Sequence, residues 1–471
     1  MHSYNIILLN ERKIQKNPLA NFIYTGESIM SKMITEPAKS IPVFDEVDVL
    51  VVGAGPAGHS AAIGAARAGA KSVAIVERYN HQGGMMTGGY VLAVPISSVG
   101  NKIIMRGVMQ EWFERLEKYP DGVLTPSLSE VGSTDPETVR KYKHWFAMTR
   151  GDKVAYCPYV DPDILKVVLD QMNEEEKVKT YLHCWAVDTV MEGDTVTGVI
   201  FESKEGRKAI LAKVVIDCTG DGDIAAFAGA EYEDDASMRL RNAQTASVYR
   251  LGDVDNYKYA MWRMENPDDA KKHADELAKI VGFRIAPQIS PRNDITWVNN
   301  WLLKSCIDVR DMTETDMAVR RTLYDGINYM KANYPGFENA YLLDINPQTG
   351  TRGSRRIIGD YVFSMDDMQK TPEQPDVIGL YGARGPIEKA VEVPYRVMLP
   401  KKLENLLVAG RCYSSTQDAN NAANLIPHCA ITGHAAGVAA AIAINNNTTA
   451  RKVDITKVQK TLKDQDAVLP R

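Results

Sequence analysis

The stretch that decides the fold is VDVLVVGAGPAGHSAA, residues 47–62. Its first part, residues 47–52, is a short β-branched run that is typical of a buried parallel strand. A glycine-rich turn follows at residues 53–58, and residues 60–69 (SAAIGAARAG) favour a helix whose small side chains can pack closely on a sheet. Residues 71–76 (KSVAIV) predict the next strand. Together these segments predict one complete β-α-β unit.

The three glycines of that turn have the spacing of a dinucleotide-binding fingerprint. Gly53 permits the tight turn, Gly55 lets the backbone approach a pyrophosphate, and Gly58 brings the helix against the strand. The pyrophosphate would meet the positive N-terminal end of the helix. Glu77, at the end of the second strand, is placed to accept hydrogen bonds from ribose hydroxyl groups. Because its negative charge disfavours a 2′-phosphate, we do not expect NADP at this site.

Three later segments return to the same site and favour FAD over NAD. Paired glycines in residues 81–89 (HQGGMMTGG) would let the chain pass close to a long cofactor. A strand at residues 212–216 enters the polar loop 217–223 (DCTGDGD), and residues 406–411 (LLVAGR) supply a third return. A simple NAD-dependent dehydrogenase needs none of these returns. No second GxGxxG follows a strand, so a separate NAD(P)H domain is not expected.

The order of these segments predicts an α/β fold in which a Rossmann-like FAD-binding domain is interrupted by a mixed α+β substrate or cap domain. Within the cap, a long helix is predicted over about residues 313–333. The FAD-binding domain is predicted to be discontinuous, with parts at residues 45–100, 160–230 and 396–446. Between these parts lie a helical excursion at residues 101–159 and the substrate or cap domain at residues 231–395, and a C-terminal tail follows at residues 447–471.

The composition is that of an ordinary globular protein and argues against several partners. The 471 residues are 45% hydrophobic and 24% charged, with a net charge of −5, and basic residues form no run long enough to bind a polyanion, so nucleic acid is not an expected partner. The six cysteines include no C-x-x-C pair, which argues against a zinc site, an iron–sulfur cluster and a redox dithiol, so no metal is predicted. The apolar run at residues 435–444 is shorter than the about 20 residues that span a bilayer. We therefore expect no membrane span and a cytoplasmic location.

The N-terminal residues 1–40 have neither the apolar region of a signal peptide nor helical periodicity. Residues 25–29 (TGESI) precede Met30, and codons such as ACA-GGA-GAA would spell a bacterial ribosome-binding site there. One hypothesis is that residues 1–29 are a translated leader and that the working protein begins at Met30 or Met33. A disordered N-terminal tail explains the same composition equally well.

Six motifs resemble the FAD-dependent oxidoreductase family of the GR2 type, which is related to fumarate reductase and HdrA-like flavoproteins. They are VDVLVVGAGPAGHSAA, GGMMTGG, DCTGDGDIAAFAGA, TGTRGSRRIIGDYV, VPYRVMLPKKLENLLVAGRC and IPHCAITGHAAGVAAA, within roughly residues 45–445. The cysteine motifs of iron–sulfur relatives are missing, so HdrA-type electron bifurcation is not expected. The resemblance implies an FAD-binding set, which we predict to comprise Gly53, Gly55, Ala57, Gly58, Glu77, Arg78, Gly84, Met85, Thr219, Gly220, Asp221, Arg411 and Gly433.

The resemblance also implies that a helix beginning near Pro427 points its N-terminus at the pyrimidine side of the flavin, where it would stabilise the negative charge of the reduced ring. His428, near that helix start, is a candidate proton shuttle because an imidazole titrates near neutrality. The alternative is a histidine that only forms hydrogen bonds with the loop. Asn420, Asn421 and Asn424, just before the helix, could line a polar pocket or simply form the loop.

Three arginines lie close together in the sequence, at Arg352, Arg355 and Arg356. Such a guanidinium cluster could clamp a substrate carboxylate or the cofactor diphosphate, so these residues are the other catalytic candidates. The alternative is a set of internal salt bridges with the acidic residues Asp360, Asp366 or Asp367.

The sequence thus predicts an FAD-dependent dehydrogenase or reductase that transfers a hydride between a small polar organic substrate and FAD, with an unknown electron acceptor or donor. Since His81 stands two residues before a Gly-Gly pair, unlike the histidine that tethers flavin in succinate dehydrogenases, we expect non-covalent FAD. One alternative is a flavin-dependent isomerase or hydratase without net redox change. Another is a non-enzymatic flavin-binding sensor, against which the large cap argues. The size of the cap is compatible with a homo-oligomer.

Overall fold

The computed structural model describes residues 33–145, 147–234, 244–382 and 389–470. The chain divides into two units, Met1–Ser40 and Ile41–Arg471. In the first unit, residues 33–40 contain no helix or strand and are exposed. The proposed leader at residues 1–29 lies outside the described residues, so it stays a prediction.

Helices and strands fill the second unit. The helices are α1 (Pro56–Arg67), α2 (Val108–Leu116), α3 (Pro136–Tyr142), α4 (Pro162–Glu175), α5 (Asp223–Phe227), α6 (Asn256–Glu265), α7 (Pro267–Val281), α8 (Val309–Arg321), α9 (Leu323–Asn333), α10 (Met365–Lys370), α11 (Gln417–Ala422), α12 (Ile426–Asn445) and α13 (Ile455–Asp464). The strands are β1 (Val43–Val52), β2 (Val73–Val76), β3 (Ser98–Val99), β4 (Lys102–Ile103), β5 (Val123–Leu124), β6 (Thr149–Arg150), β7 (Lys153–Val154), β8 (Tyr159–Val160), β9 (Lys179–Tyr181), β10 (Trp185–Glu192), β11 (Thr195–Ser203), β12 (Gly206–Asp217), β13 (Tyr232–Glu233), β14 (Thr245–Gly252), β15 (Arg284–Ile289), β16 (Ile295–Leu302), β17 (Tyr341–Ile345), β18 (Gly350–Thr351), β19 (Arg356–Ile357), β20 (Val377–Tyr381), β21 (Val391–Pro394) and β22 (Leu406–Val408).

The central sheet is mostly parallel, with strand order β10-β11-β12-β1-β2-β9 and with β22 paired to the C-terminal end of β12. Strands β12, β1, β2, β9 and β22 run parallel, whereas β10 and β11 form an antiparallel hairpin beside the N-terminal half of β12. Val49 and Val51 of β1 pack on one face of the sheet, and Leu50 and Val52 pack on the other. Burial on both faces is what a parallel strand covered by helices requires. The predicted α/β, Rossmann-like fold class is confirmed.

Helices α1 and α12 cover one face of this sheet and pack against each other at very short range. A Cβ atom at Gly433 or Gly437 of α12 would lie 2.0 Å from the carbonyl oxygen of Ala57 or Ala61, respectively, in α1. Only residues without a Cβ allow the two backbones to approach this closely. Helix α12 is long and apolar enough to cross a membrane, but 83% of its apolar window is buried inside the protein. Such burial is typical of the core helix of a globular protein.

A second, antiparallel sheet forms the framework of the cap, with strand order β15-β16-β14-β17 and with β18 paired to the start of β14. Tyr249, Ile285 and Val298 of this sheet pack with residues of α7, α8 and α9 in one hydrophobic cluster. Because successive side chains of a strand point to opposite faces, the alternate residues of these strands are directed to the other side of the sheet. That other side forms part of the site described below.

Three segments differ from the sequence-based expectations. The predicted long helix is split into α8 and α9 because Thr322, a β-branched residue, leaves the helical conformation with φ −103° and ψ 7°. Residues 101–159 contain α2 and α3 but also short strand pairs, so this excursion is mixed instead of helical. The expected tail at residues 447–471 contains α13, whose buried Val458 and Leu462 join the main hydrophobic core. The other domain boundaries stay predictions.

Candidate functional site

A groove lies at the carboxyl ends of the parallel strands, where open α/β sheets bind their ligands. The chain enters it after β1 at Gly53, after β2 at Glu77, after β12 at Thr219 and after β22 at Gly410. Parallel pairing of these strands brings the four ends to the same edge of the sheet. The described residues that line the groove are Val52, Gly53, Gly55, Pro56, Ala57, Val76, Glu77, Arg78, Tyr79, Gly84, Met85, Cys184, Trp185, Ala186, Cys218, Thr219, Gly220, Asp223, Gln348, Thr351, Gly410, Arg411 and Cys429.

The three fingerprint glycines have different surroundings. At Gly53, where φ is +93°, a Cβ atom would lie 2.6 Å from the carbonyl oxygen of Cys218, and at Gly58 it would lie 1.7 Å from that of Gly53. At Gly55 a Cβ atom would meet no protein atom within 4 Å. Two glycines therefore make the turn possible, and the third leaves open space beside the backbone. This space, at the uncapped N-terminus of α1, fits the pyrophosphate of a dinucleotide.

The carboxylate of Glu77 is fixed at the end of β2. Its Oε2 accepts a hydrogen bond from the backbone N–H of Ala54 at 2.8 Å, and its Oε1 accepts one from the N–H of Tyr79 at 3.0 Å. Each oxygen keeps a further lone pair, so the side chain can also accept from a ribose hydroxyl group. The guanidinium group of the next residue, Arg78, lies over the rings of Tyr79 and Trp185, 4.9 and 5.4 Å from their centroids.

Asp217, which the sequence analysis did not single out, holds the loop after β12 in place. Its carboxylate accepts hydrogen bonds from the backbone N–H and the hydroxyl of Thr219, at 3.0 and 2.7 Å, and from the N–H of Ala225 at 2.9 Å. Complete burial raises the pKa of Asp217 to about 6, although these hydrogen bonds favour its charged form. The sequence signal was an acidic residue at the end of an otherwise apolar strand.

Arg411 connects the groove with the loop after β12. Its guanidinium group forms a 2.9 Å ion pair with Asp221 and packs on Gly220, where a Cβ atom would lie 2.7 Å from it. It also donates a hydrogen bond to the hydroxyl of Thr351. Its buried Nε–H has no hydrogen-bond partner among the described residues. A buried donor of this kind fits a cofactor that brings acceptor atoms into the groove.

Most of the predicted FAD-binding set lies in this groove. Asp221 is not part of the lining, and its contact with the site passes through Arg411. Gly58 and Gly433 also lie outside the lining, because each packs against backbone atoms of the protein. Gly58 contacts Gly53 within the glycine turn, and Gly433 of α12 contacts Ala57 of α1. The predicted residues that line the groove are Gly53, Gly55, Ala57, Glu77, Arg78, Gly84, Met85, Thr219, Gly220 and Arg411.

A second cavity, which we call the chamber, adjoins the groove. The two cavities share parts of their walls, namely Pro56, Met85, Thr351, Arg411 and Cys429. The other described residues that line the chamber are Gly89, Val91, Ala93, Pro95, Gln244, Ala246, Arg284, Ala286, Gln288, Trp297, Asn299, Trp301, Gly350, Arg352, Asn424, Leu425 and Ile426.

One face of the antiparallel cap sheet forms a wall of the chamber. Trp297, Asn299 and Trp301 alternate along β16, and Gln288 and Arg284 of β15 are in register with the two tryptophans. Sequence analysis missed all five of these residues. The signal that could have found them is the period-two pattern of large aromatic and polar side chains in residues 295–302 (ITWVNNWL).

The structure separates the three arginines that are close together in the sequence. Arg352 lines the chamber, 5.4 Å from the ring centroid of Trp301. Arg355 forms a 2.8 Å ion pair with Asp223, and the buried Arg356 forms a 2.9 Å ion pair with Glu233. The structure therefore does not bring Arg355 and Arg356 into the lining of the chamber with Arg352, and their catalytic role stays a prediction. Their ion-pair partners are also different from the acidic residues suggested by the sequence.

His428 lies in the first turn of α12 but lines neither the groove nor the chamber. Its Nδ1 accepts a hydrogen bond from the backbone N–H of Leu425 at 3.2 Å, and its Nε2 lies 2.9 Å from the carbonyl oxygen of Gly382, to which it can only donate. This geometry corresponds to the alternative of a histidine bound to its loop. Asn424, in contrast, does line the chamber, and its Nδ2 donates to the carbonyl oxygen of Arg352 at 2.8 Å.

The helix that was expected near Pro427 is α12, which begins at Ile426. Leu425, Ile426 and Cys429 of its first turn line the chamber, so the positive end of α12 faces the place where chamber and groove meet. Among the residues that the structure describes, no group of three or more His, Cys, Asp or Glu side chains could hold a metal ion.

A parallel sheet with a glycine turn, a fixed carboxylate at the end of its second strand and an adjoining chamber defines the class of flavin-dinucleotide oxidoreductases. The chain belongs to the FAD dependent oxidoreductase family, which it matches over residues 48–462. FAD is therefore its cofactor, and the predicted family and cofactor are confirmed. No curated protein matches the sequence.

Several solved structures of low similarity align with most of the chain. A geranylgeranyl bacteriochlorophyll reductase-like protein from Thermoplasma acidophilum is 14% identical, with a TM-score of 0.42, over 89% of this chain and 83% of that one. L-amino acid deaminase from Proteus vulgaris is 12% identical, with a TM-score of 0.45, over 90% and 99%. The p-nitrophenol 4-monooxygenase PnpA from Pseudomonas putida is 11% identical, with a TM-score of 0.43, over 89% and 84%. These similarities carry no information on the substrate or the reaction.

Proposed function

We propose that this FAD-dependent oxidoreductase is a dehydrogenase or reductase that transfers a hydride between a small polar organic substrate and non-covalently bound FAD. The observation that supports this proposal most strongly is the common wall of the groove and the chamber, formed by Pro56, Met85, Thr351, Arg411 and Cys429. A compound held in the chamber would contact the same residues as a cofactor in the groove. When bound, FAD supplies a ring that accepts or donates two electrons as a hydride.

The groove residues would hold the cofactor along its length. Glu77 would accept hydrogen bonds from a ribose, and the open space at Gly55 would receive the pyrophosphate at the N-terminus of α1. Arg411 would donate its remaining N–H from the opposite side. These contacts are non-covalent. Neither His59, which directly follows the glycine-rich turn, nor His81, which precedes the segment at residues 83–89, lines the groove.

The start of α12 would provide electrostatic stabilisation at the reacting end. Its positive N-terminus faces the junction of groove and chamber, where it favours negative charge on a reduced ring or on a bound substrate. His428 holds this helix start by accepting from Leu425 and donating to Gly382. In this arrangement His428 is a positioning residue. Proton transfer by His428 stays a sequence-based prediction that is tested below.

The chamber has the polarity that a small polar substrate requires. Amide side chains of Gln244, Gln288, Asn299 and Asn424 line it, together with two tryptophans that exclude water. Among the described lining residues there is no carboxylate and no imidazole, so the walls offer hydrogen bonds and cations but no strong general base. Substrates that lose or gain a hydride without proton abstraction from carbon by a protein base fit this lining best.

Anaerobic spectroscopy of the purified holoenzyme tests the proposal. A panel of small polar metabolites is added to the oxidised protein and, separately, to the photoreduced protein. We expect at least one compound to bleach the flavin band of the oxidised form or to restore it in the reduced form. Conversion of a compound while the flavin spectrum stays unchanged would instead establish an isomerase or hydratase. The same additions to FAD-free protein are the control, because the reaction requires the cofactor.

A further inference from the structure

The chamber wall carries positive charge that no lining carboxylate balances. Among its described lining residues are Arg284, Arg352 and Arg411, and no Asp or Glu. Arg411 is neutralised by its ion pair with Asp221. Arg284 has no carboxylate partner within ion-pair distance among the described residues, and its side chain is accessible to solvent. The wall therefore attracts an anion into the chamber.

An aromatic ring orients two of these arginines. The guanidinium carbons of Arg284 and Arg352 lie 4.7 and 5.4 Å from the ring centroid of Trp301. Trp301 is in register with Arg284 across the β15–β16 pair, so the first of these contacts follows from strand pairing. A guanidinium group that stacks on an aromatic ring presents its N–H donors at its edge, so the exposed Arg284 can match the two oxygens of a planar carboxylate.

Asn299 adds an acceptor next to these donors. It is two residues before Trp301 on the same face of β16 and is only 3% exposed. Its Oδ1 is buried without a hydrogen-bond partner among the described residues. A buried acceptor without a partner is destabilising, which is offset when a ligand supplies an N–H or O–H group. On the same wall Ala246 and Ala286 have small side chains that leave space for such a ligand.

We propose that the substrate of the chamber is a carboxylate, bound by Arg284 and Arg352, with an N–H or O–H group that donates to Asn299. This inference rests on the proposed function, since it names the substrate class of the same chamber. A carboxylate is favoured over a phosphate because both cations are planar guanidinium groups oriented by one ring, and no lysine is among the described residues that line the chamber.

The test measures binding, not turnover. Three pairs of probes that carry an O–H or N–H donor and differ in the charge of one group (glycolate and glycolamide, 4-hydroxybenzoate and 4-hydroxybenzamide, indole-3-acetate and indole-3-acetamide) are titrated into the oxidised holoenzyme. Binding is followed by the difference spectrum of the flavin and by the shift in melting temperature. We expect at least one carboxylate to bind about tenfold or more tightly than its amide. Inorganic phosphate at the same concentration should not displace it.

Two variants locate the effect and a third serves as control. Arg284→Gln and Asn299→Leu should each weaken the preferred carboxylate by about tenfold, while the matched amide changes less than about twofold for Arg284→Gln. Arg292→Gln is the matched control, because Arg292 lies in the same β15–β16 hairpin but pairs with Asp294 at 2.9 Å and does not line the chamber. It should leave all affinities unchanged.

Failure of this inference can be told apart from failure of the proposed function. If no carboxylate binds better than its amide, or if phosphate competes equally well, the assigned substrate class is wrong even if the flavin reacts with a neutral metabolite. If carboxylates bind in an Arg284-dependent manner but no compound changes the flavin redox state, the substrate class stands and the dehydrogenase or reductase proposal fails.

Discussion

The groove and the chamber share a wall but are built from different parts of the chain. The groove consists of loops that follow parallel strands, and its shape depends on backbone atoms, as at Gly53 and Gly58. The chamber wall consists of side chains on an antiparallel sheet, such as Trp297 and Trp301. The groove therefore tolerates few amino-acid substitutions, because its shape is fixed by backbone geometry. The substrate wall can change its side chains without loss of the fold.

The largest effect is expected from Gly58→Ala in the groove turn. A Cβ atom there would lie 1.7 Å from the carbonyl oxygen of Gly53, so α1 must move away from β1. We expect the free energy of unfolding to fall by about 5 kcal/mol and bound FAD to be lost. Denaturant titration and absorbance of the purified variant measure both quantities.

Gly55→Ala is the matched control for that variant. Gly55 has φ −69°, which alanine adopts freely, and its Cβ atom would meet no protein atom within 4 Å. The FAD-free protein should therefore keep its melting temperature, while affinity for FAD falls about tenfold or more because the methyl group enters the pyrophosphate space. If Gly58→Ala and Gly55→Ala lost equal stability, Gly55 could not be a position that faces open space while Gly58 is tightly packed.

Replacement of Arg411 by Gln should have the next largest effect. The variant leaves Asp221, which is buried, without its cation, and breaking a buried ion pair on one side costs about 3–5 kcal/mol. Arg284→Gln in the chamber should change stability by less than about 0.5 kcal/mol, because Arg284 is exposed and has no carboxylate partner among the described residues. Thermal and denaturant unfolding compare the two. Similar losses would show that the chamber wall is as rigidly required as the groove.

Asp217 should give the groove loop a measurable pH dependence. Burial raises its pKa from the ordinary 3.8 to about 6 in the folded protein. Its contribution to stability is therefore fully present below pH 3.8 and is lost as the pH rises through about 6, by about 3 kcal/mol in total. Wild-type protein should lose this stability relative to Asp217→Asn between about pH 4 and pH 7, as measured by denaturant unfolding. A difference that is constant across this range would contradict the raised pKa.

His428→Ala at the start of α12 is expected to lower stability less than the changes at Gly58, Arg411 and Asp217. Loss of its hydrogen bonds to Leu425 and Gly382 should lower the free energy of unfolding by about 1–2 kcal/mol. The pH profile of flavin reduction by a substrate should keep its shape, because His428 lines neither cavity. A shift of the profile, or loss of one of its limbs, would instead support the sequence-based prediction that His428 carries protons.

The sequence predicted the groove well because its signals are local. The strand, the glycine turn and Glu77 lie within about one β-α-β unit, and Gly58 is crowded within the turn itself, by the carbonyl oxygen of Gly53. The close packing of Gly433 on α1 was harder to predict. A glycine in a helix can face a ligand or another helix, and only the tertiary structure decides which.

The chamber could not be predicted in the same way. Which face of β16 lines a cavity depends on how the cap sheet packs against α7, α8 and α9, which no local pattern specifies. For the same reason the sequence could not show that the arginines at positions 352, 355 and 356 have different surroundings in the structure. Neighbouring residues point in different directions, and each found a partner from a distant segment, as Arg356 did with Glu233.

We expect the groove to bind FAD without a covalent bond, and release of the pigment from denatured protein shows whether it does. Purified protein is incubated with excess FAD, freed of unbound cofactor by gel filtration and then denatured in acid. We expect the wild-type protein to be yellow and to release all of its FAD into the supernatant on denaturation. The Gly55→Val variant should be folded but colourless after gel filtration. Wild-type protein that remains colourless, or pigment that stays with the denatured chain, would contradict this expectation.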